Sequence, residues 1–376
     1  IVDGVAVDTF NFPDKNFRDV VKTFDTDDNN ILSDTEIAAV KEIDCKGRAI
    51  TNLKGIEYFT ALEYLYCYDN ELTELDLSRN TKLKELNCST NRLTVLDLSQ
   101  NPKLKRVICS DNALTALNLS SNSKLTNLNA SGNIREITLT GNTFDLSSLT
   151  GFDVSKARNW QGGTVSGSTL TVDENAAVVT YSYDTGCTKT GLENVVFTLA
   201  IAGRGTDIAI DAANFPDPKF REFLLSPEVN IDRNRDSKLS TWEIALVREL
   251  DIYGEDIRDL TGIGYFTELE ILSCVSTHLT SLDLSQNTRL TVLDASHNDL
   301  TSLDLRQNTG LIELDVKYND LTRLDLRRNT GLTKLDVSNN NLTSLDLSQN
   351  TNLTELEAEG NACTIAPVDG RFHLAS

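Results

Sequence analysis

The sequence contains few residues of the types that build catalytic centres. It has no Met, three His, six Pro and two Trp among 376 residues, and aromatic residues make up 6%. His278, His297 and His373 have no nucleophile or metal ligand at a recognisable spacing, and no phosphate-binding Gly loop is present. The sequence therefore predicts a protein that is not an enzyme.

Positive charge is also in the minority, with 35 Lys and Arg against 56 Asp and Glu and a formal net charge of -21. Nucleic acids and anionic membranes attract basic surfaces, so neither is an expected partner. No apolar run approaches the roughly 18 residues that a membrane-spanning helix needs. Because the chain starts at Ile1 and shows no signal peptide, we expect a mature or trimmed product whose export signal or anchor is not in this sequence.

A 21-residue repeat dominates what is present. The segment Leu290–Gly310, LTVLDASHNDLTSLDLRQNTG, is followed by LIELDVKYNDLTRLDLRRNTG and by further copies. Leu290, Leu293, Asn298 and Leu300 fall on L-x-x-L-x-x-x-x-N-x-L, which is the leucine-rich-repeat signature. We expect a right-handed, curved solenoid with mostly short parallel β-strands on both faces. One face, here called the strand face, is concave, and the other is the return face.

The chain contains two such arrays. IAIDAANFPD repeats the earlier VAVDTFNFPD, and LTGIGYFTELEIL repeats LKGIEYFTALEYL at an offset of 207. Between the arrays, alternating Val, Thr and Tyr predict a small antiparallel β cap that covers the open end of the first array. The expected domains are a helical cap at 1–49, an array at 50–142, a β-rich cap or linker at 143–207, a second helical cap at 208–256 and a second array at 257–376.

Four cysteines follow this repeat. Cys45, Cys67, Cys88 and Cys109 succeed one another at intervals of 22, 21 and 21 residues, at the inward place that Ala295 occupies later. A buried free thiol packs as a small hydrophobic group. This spacing favours free core thiols over a disulfide or a metal site, and it leaves the redox compartment undetermined.

Each helical cap contains a loop with the ligand spacing of an EF-hand calcium site. The expected ligands of the first loop are Asp25, Asp27, Asn29, the carbonyl of Ile31, Ser33 and Glu36. Asn30 stands where the motif has Gly, and Asn is the next best residue for a positive φ. The alternative is that Ser33 and Glu36 form only a helix capping box.

The second loop matches the EF-hand calcium motif less well. Its expected ligands are Asp232, Asn234, Asp236, the carbonyl of Lys238, Ser240 and Glu243. Ser237 replaces the Gly, and Arg233, Arg235 and Lys238 add positive charge, so we expect weaker calcium binding here.

Two sets of outward residues on the strand face are candidate partner-binding residues. Tyr64, Tyr66 and Tyr68 lie on one strand beside Arg106, and Tyr and Arg are enriched in interface hot spots. The alternative is that these tyrosines shield the open N-terminal end of the sheet. In the second array the stacked acids are Asp294, Asp315, Asp336 and Glu357. These acids indicate a cationic partner or, alternatively, a solvated acidic face.

The combination of NFPDxxFR, an EF-hand-like loop, GIxYFTxLExL and LTxLDLSxN resembles cell-surface leucine-rich-repeat proteins of gut-type anaerobic bacteria. The resemblance implies an exported, surface-attached adhesion or protein-binding module. Separately, we expect calcium to have a structural role, because an ion that binds only the folded loop stabilises it. Carbohydrate binding, to mucin or another polysaccharide, and a purely structural surface spacer are the alternatives. The oligomeric state cannot be read from the sequence.

Overall fold

The computed structural model describes residues 4–252 and 256–362. They divide into two compact units, Ile1–Ala202 and Gly203–Ser376. Each unit stacks short parallel strands in sequential order, which confirms the leucine-rich-repeat solenoid. Within the described ranges, no helix has the length and apolar character needed to cross a lipid bilayer.

The first unit begins with a compact cap. Its elements are β1 (Val5–Ala6), α1 (Lys15–Val21), a 3-10 turn (Lys22–Phe24), β2 (Ile31–Leu32) and α2 (Asp34–Ala39).

Asp14 ties this cap to the solenoid. One carboxylate oxygen accepts the Phe17 N–H at 3.0 Å and caps α1, and the other accepts the Thr51 N–H and hydroxyl at 2.9 Å. Burial raises the pKa of Asp14, but the donors from Phe17 and Thr51 outweigh it and leave the pKa below the ordinary 3.8.

Five parallel strands form the strand face of the first array. They are β3 (Glu42–Asp44), β4 (Tyr64–Tyr66), β5 (Glu85–Asn87), β6 (Arg106–Ile108) and β7 (Asn127–Asn129). The central residue of each of the first four strands is buried, while its neighbours point outward. Strand β3 lies in the segment predicted as helical cap, so the sheet starts earlier than the repeat signature does. A 3-10 turn, Ile56–Tyr58, precedes β4.

The prediction of β-strands on the return face is wrong. Among the described residues, the L-D-L segments form no strand, and each is followed by a turn closed by a short-range bond, such as that from the Asn80 N–H to the Leu77 carbonyl at 3.0 Å. The sharp turn after each L-D-L leaves no run of backbone groups free to form a ladder with the next segment.

Two columns of buried asparagines link successive turns. The first column is formed by the asparagines of the repeat signature and comprises Asn70, Asn91, Asn112, Asn133, Asn298, Asn319, Asn340 and the partly buried Asn361, with Thr277 at one place. The second column, on the return face, is Asn80, Asn101, Asn122, Asn287, Asn308, Asn329 and Asn350. The side-chain oxygens of the second column have no hydrogen-bond partner.

A β-module follows the first array. Its strands are β8 (Ile134–Ile137), β9 (Thr143–Asp145), β10 (Ala157–Gln161), β11 (Gly163–Ser166), β12 (Thr169–Val172), β13 (Val178–Asp184) and β14 (Asn194–Ile201). Two sheets result, in the orders β10-β13-β14-β8 and β11-β12-β9, antiparallel except between β14 and β8. Tyr181 donates its hydroxyl to the Thr115 carbonyl at 2.7 Å, and Leu119 N–H donates to the Thr185 carbonyl at 2.7 Å. The module therefore packs on the last turns of the array.

The second unit repeats the plan of cap and array. Its elements are β15 (Ile208–Ala209), α3 (Pro218–Leu225), β16 (Lys238–Leu239), α4 (Thr241–Leu246), β17 (Glu249–Asp251), a 3-10 turn (Ile263–Tyr265), β18 (Ile271–Ser273), β19 (Val292–Asp294), β20 (Glu313–Asp315), β21 (Lys334–Asp336) and β22 (Glu355–Glu357). Strands β17 to β22 form one parallel sheet in sequential order.

The cysteines of the described residues are buried and free. Burial raises the pKa of Cys109 to about 12, so its thiol stays protonated and packs as an apolar group. Cys363 lies outside the described residues.

Candidate functional site

The first EF-hand-like loop lies between α1 and α2. Strand β1 pairs with β2 across the loop, with Val5 opposite Leu32. Leu32, the apolar residue of the loop, is fully buried and fixes the loop on the core of the unit. The carboxylates of Asp25, Asp27 and Glu36 each place one oxygen within 4.8 Å of the other two. Three hard oxygen donors at this separation match the chemistry that Ca²⁺ prefers.

The backbone of this loop adopts the turn that the motif requires. Asn30 has a φ of 62°, so Asn takes the left-handed conformation that Gly has in the motif. The Asn30 N–H donates to an Asp25 carboxylate oxygen at 2.7 Å. This bond orients Asp25, the first ligand of the predicted set.

Glu36, the last residue of the loop, has a second role. It forms a capping box with Ser33, whose N–H and hydroxyl donate to one carboxylate oxygen at 2.9 and 2.8 Å. The other oxygen accepts from the Thr26 N–H and hydroxyl, both at 2.6 Å. The hydrogen bond from the Thr26 side chain is the main reason that the pKa of Glu36 falls to about 2. The capping box accounts for Ser33 and Glu36 but involves neither Asp25 nor Asp27.

The second loop has the same backbone and a more buried carboxylate set. Ser237 has a φ of 63°, and its N–H donates to Asp232 at 2.9 Å. Glu243 forms the equivalent capping box with Ser240. Glu243 is 1% exposed, and burial raises its pKa and that of Asp232.

The ligand oxygens of this loop are less closely gathered. Asn234 stands at the place of Asp27, and the described carboxylates of Asp232, Asp236 and Glu243 do not meet the 4.8 Å separation found in the first loop. The Lys238 N–H donates to Asp236 at 2.9 Å. The first loop is thus the better candidate metal site.

The tyrosine strand, which carries the half-exposed Tyr64, Tyr66 and Tyr68, lies inside the first sheet. Strand β4 lies between β3 and β5, so the alternative that these tyrosines shield the end of the sheet is wrong. The Lys84 ammonium lies 6.0 Å from the Tyr64 ring centroid, and the Lys46 ammonium lies 5.7 Å from that of Tyr68. These distances suit cation–π contacts that hold the rings in place.

Two further residues border these rings. The hydroxyl of Tyr66 is 3.5 Å from a Glu85 carboxylate oxygen. Arg106 is exposed and lies opposite Glu85 in the strand register. The structure therefore brings the three predicted tyrosines and Arg106 onto one face.

The stacked acids of the second array have roles within the fold. Asp294 and Asp336 accept the N–H of Ser296 and Ser338 at 3.0 Å, which closes the turn after each strand. The first array places Asn87 at this point, where it accepts the Ser89 N–H at 3.1 Å. The recurring D-x-S spacing is the sequence signal for this turn, which sequence reasoning missed.

Lys317 neutralises part of the negative charge in the middle of the column of stacked acids, Asp294, Asp315, Asp336 and Glu357. Its ammonium lies 2.8 Å from Asp315 and 3.5 Å from Asp336, while burial raises the pKa of Asp315. Glu357 is exposed at the end of the column, opposite Asp336 in the register. A cationic partner would have to compete with Lys317.

Comparison with known proteins finds local sequence similarity and shared architecture. No family model matches the sequence. The chain is 38% identical over 71 residues to internalin J of Listeria monocytogenes serotype 4b (strain F2365), a match that covers 19% of this chain and 8% of internalin J.

Three solved structures show wide alignment coverage with low TM-scores. The functional domain of InlJ from Listeria monocytogenes, which includes a cysteine ladder, is 26% identical with a TM-score of 0.35, over 95% of this chain and 62% of that one. An internalin (inlF) of the same species is 19% identical with a TM-score of 0.36, over 96% and 93%. A leucine-rich-repeat protein of Leptospira interrogans is 20% identical with a TM-score of 0.34, over 90% and 66%.

The fold assignment depends on the parallel strands, the buried leucines and the asparagine column of the chain itself. These features show a leucine-rich-repeat fold, and the local similarity to internalin J agrees with it.

Proposed function

We propose that this protein is a non-enzymatic binding module that holds a partner protein on its strand face at the surface of a bacterial cell. The observation that carries the proposal is the tyrosine strand, where Tyr64, Tyr66 and Tyr68 are half-exposed on one face. Tyrosine rings bury a large apolar area on binding and lose little conformational entropy. The similarity to internalin J and the gut-anaerobe motif set support the bacterial surface location.

The ring contacts favour a preorganised surface. Lys46 and Lys84 restrict the rings of Tyr68 and Tyr64 before any partner arrives. Binding to a rigid surface costs less side-chain entropy than binding to a mobile one. Arg106, exposed beside the rings, adds a cation that can form a bidentate bond with a partner carboxylate.

The test is a Tyr66→Ala variant compared with a Ser273→Ala variant, which changes the equivalent residue of the second array. Proteins from host and bacterial surface extracts are captured on each variant and on the wild type, then identified by mass spectrometry. We expect Tyr66→Ala to lose specific partners that Ser273→Ala retains. Identical captured sets would contradict a role for the tyrosine strand.

We further propose that the first loop holds a structural Ca²⁺ ion. The ligands would be the side chains of Asp25, Asp27, Asn29, Ser33 and Glu36 and the carbonyl of Ile31. The ion would neutralise three gathered carboxylates and link α1 to α2. A ligand that binds only the folded state stabilises it by about 2.7 kcal/mol at a free concentration 100 times its Kd.

Calorimetry with and without a chelator tests this role. Chelation should lower the Tm of the wild type, and Asp27→Asn should remove most of that response. Asp28→Asn is the matched control, because Asp28 is exposed in the same loop, already has a φ of 56°, and is not one of the expected ligands. An unchanged Tm after chelation would exclude structural calcium.

The half-exposed tyrosine rings also suit carbohydrate binding, since sugar rings stack on aromatic faces. A glycan array probed with the wild type and with Tyr66→Ala separates this second function from protein binding. Glycan binding that depends on Tyr66 would favour it, whereas binding to neither class would leave the structural-spacer alternative.

A further inference from the structure

A groove occurs at the same place on the return face of each unit. The groove of the first unit has a volume of about 780 Å³ and that of the second about 740 Å³. Asp76 and Asp97 line the first, and their counterparts Asp283 and Asp304 line the second. The repeated fold therefore forms this groove twice, once in each unit, and the two grooves can be compared residue by residue.

Phe10 is the main difference between the two. Its side chain is 78% exposed, and its N–H donates to Asp8 at 3.0 Å. Ala213 makes the same bond to Asp211, also at 3.0 Å, in the second unit. This turn therefore forms the same hydrogen bond with a methyl group in place of the aromatic ring.

Contacts place Phe10 at the rim of the first groove. The ammonium of Lys54, which lines the groove, lies 5.4 Å from the Phe10 ring centroid. Ala213, the counterpart of Phe10, itself lines the second groove. Val95, a further lining residue, is 40% exposed, so two apolar side chains face solvent beside this groove.

Six further pairs of lining residues differ between the grooves, and at one of them uncharged Asn52 of the first groove stands where the second has Asp259. The other five differ in the opposite sense. Large or charged residues of the first groove stand where the second has small or uncharged ones: Lys54 for Thr261, Glu57 for Gly264, Glu74 for Ser281, Arg79 for Gln286 and Val95 for Ser302. The turns beneath are conserved between the units, since Asp76 accepts the Ser78 N–H and Asp283 accepts the Ser285 N–H, both at 2.9 Å. The specialisation is thus confined to the surface.

We propose that this groove, with Phe10 and Val95 at its rim, is a docking site for a basic segment of a partner protein that carries an apolar side chain. Exposed apolar groups with a charged border are typical of protein interaction sites. The lining contains four acids, Glu57, Glu74, Asp76 and Asp97, against two bases, Lys54 and Arg79. This excess of acids favours a basic segment and disfavours an acidic one. The lining of the second groove has three acids, Asp259, Asp283 and Asp304, and no base, so the apolar side chains of Phe10 and Val95 are what distinguish the first groove.

This site is separate from the strand face, because it is built on the return segments and on the cap turn that contains Phe10. One unit can therefore hold two partners, and loss of one surface leaves the other intact. The proposal does not depend on the role of the tyrosine strand.

The test uses labelled peptides and the full chain in a fluorescence polarisation assay at physiological salt. The probes are a peptide of alternating Lys and Leu, one of alternating Glu and Leu, and one of alternating Lys and Ser. We expect the Lys–Leu peptide to bind at least about tenfold more tightly than either of the others, which corresponds to about 1.4 kcal/mol. The Lys–Ser peptide controls for attraction to the net negative charge alone.

Variants borrowed from the second unit locate the site. Phe10→Ala and Glu74→Ser should each weaken binding of the Lys–Leu peptide several-fold, and Gln307→Ala in the second groove should leave it unchanged. The Tm of Phe10→Ala should equal that of the wild type. The proposal is overturned by equal binding of the three peptides, by no binding of any, by unchanged binding to Phe10→Ala, or by a Tm loss of several degrees in that variant.

Discussion

The two asparagine columns should contribute differently to stability, and paired alanine variants would measure the difference. Asn112 of the first column is buried, and its amide N–H groups donate to carbonyls of Cys88 and Ser110 at 3.0 and 3.1 Å. Its oxygen accepts the Leu93 N–H at 3.0 Å. Asn112→Ala therefore leaves a buried N–H of Leu93 without an acceptor.

The magnitude follows from these bonds. A buried polar group left unsatisfied costs about 1–3 kcal/mol, and the lost bonds to carbonyls add roughly 1 kcal/mol, so we expect Asn112→Ala to cost about 2–4 kcal/mol. A change of 1 kcal/mol shifts the Tm by about 2–4 °C in a unit of 150–250 residues. The expected loss in Tm is thus of the order of 10 °C.

Asn101 of the second column should be less costly to remove. It donates to the carbonyls of Leu77 and Asn80, both at 3.0 Å, while its own oxygen has no partner. Both carbonyls keep a backbone donor after truncation, the Asn80 N–H at 3.0 Å and the Leu83 N–H at 3.1 Å. We expect Asn101→Ala to cost only about 1 kcal/mol, since no backbone group is orphaned.

Urea unfolding followed by circular dichroism, at a fixed calcium concentration, measures the free energy of unfolding of both variants. Asn127→Ala, which truncates an exposed residue of β7, is the control and should change it by less than about 0.5 kcal/mol. Equal losses from Asn112→Ala and Asn101→Ala would refute the reasoning, because the count of orphaned groups would then not determine the cost.

Three further predictions concern the caps and the core. Ser237→Gly should stabilise the second loop by about 0.5–1 kcal/mol in thermal unfolding, since Ser has a positive φ there, whereas Asn30→Gly should have almost no effect. Asp14→Asn should cost about 1 kcal/mol at pH 7, and because the folded pKa of Asp14 is below 3.8, the difference from wild type should persist above that pH and disappear as the pH falls through the folded pKa. Leu314→Ala should cost about 2–5 kcal/mol in urea unfolding, because Leu314 is 2% exposed in the core.

Much of the fold was predictable because the repeat encodes it directly. A leucine such as Leu293 recurs every turn and must be buried in the same stack, so periodicity alone identifies the solenoid. The asparagine of the first column, such as Asn298, was predictable for the same reason. Strand β3, Glu42–Asp44, was not, since a three-residue strand with one apolar residue carries no readable pattern.

The sequence predicted which residues form the candidate sites, but not how buried those residues are or what they contact. The sequence alone does not show whether Asn101 is buried, so the second asparagine column was not predicted. The stacked acids predicted a cationic partner, and the coordinates add that Lys317 contacts both Asp315 and Asp336. The calcium spacing was readable, but only coordinates show that Glu36 also accepts from Thr26. The exposure of the Phe10 side chain could not be predicted, because it depends on how the neighbouring residues pack.

The reach of the asparagine bonds has a consequence for how such chains change length. Asn308 donates to carbonyls 24 and 21 residues earlier, and Asn101 does the same in the first array. Duplication or loss of one complete turn of 21 residues therefore supplies every amide with an equivalent carbonyl, whereas insertion of a single residue misaligns a donor at once. A change in the number of turns therefore preserves these bonds, whereas a change in the length of a single turn breaks them.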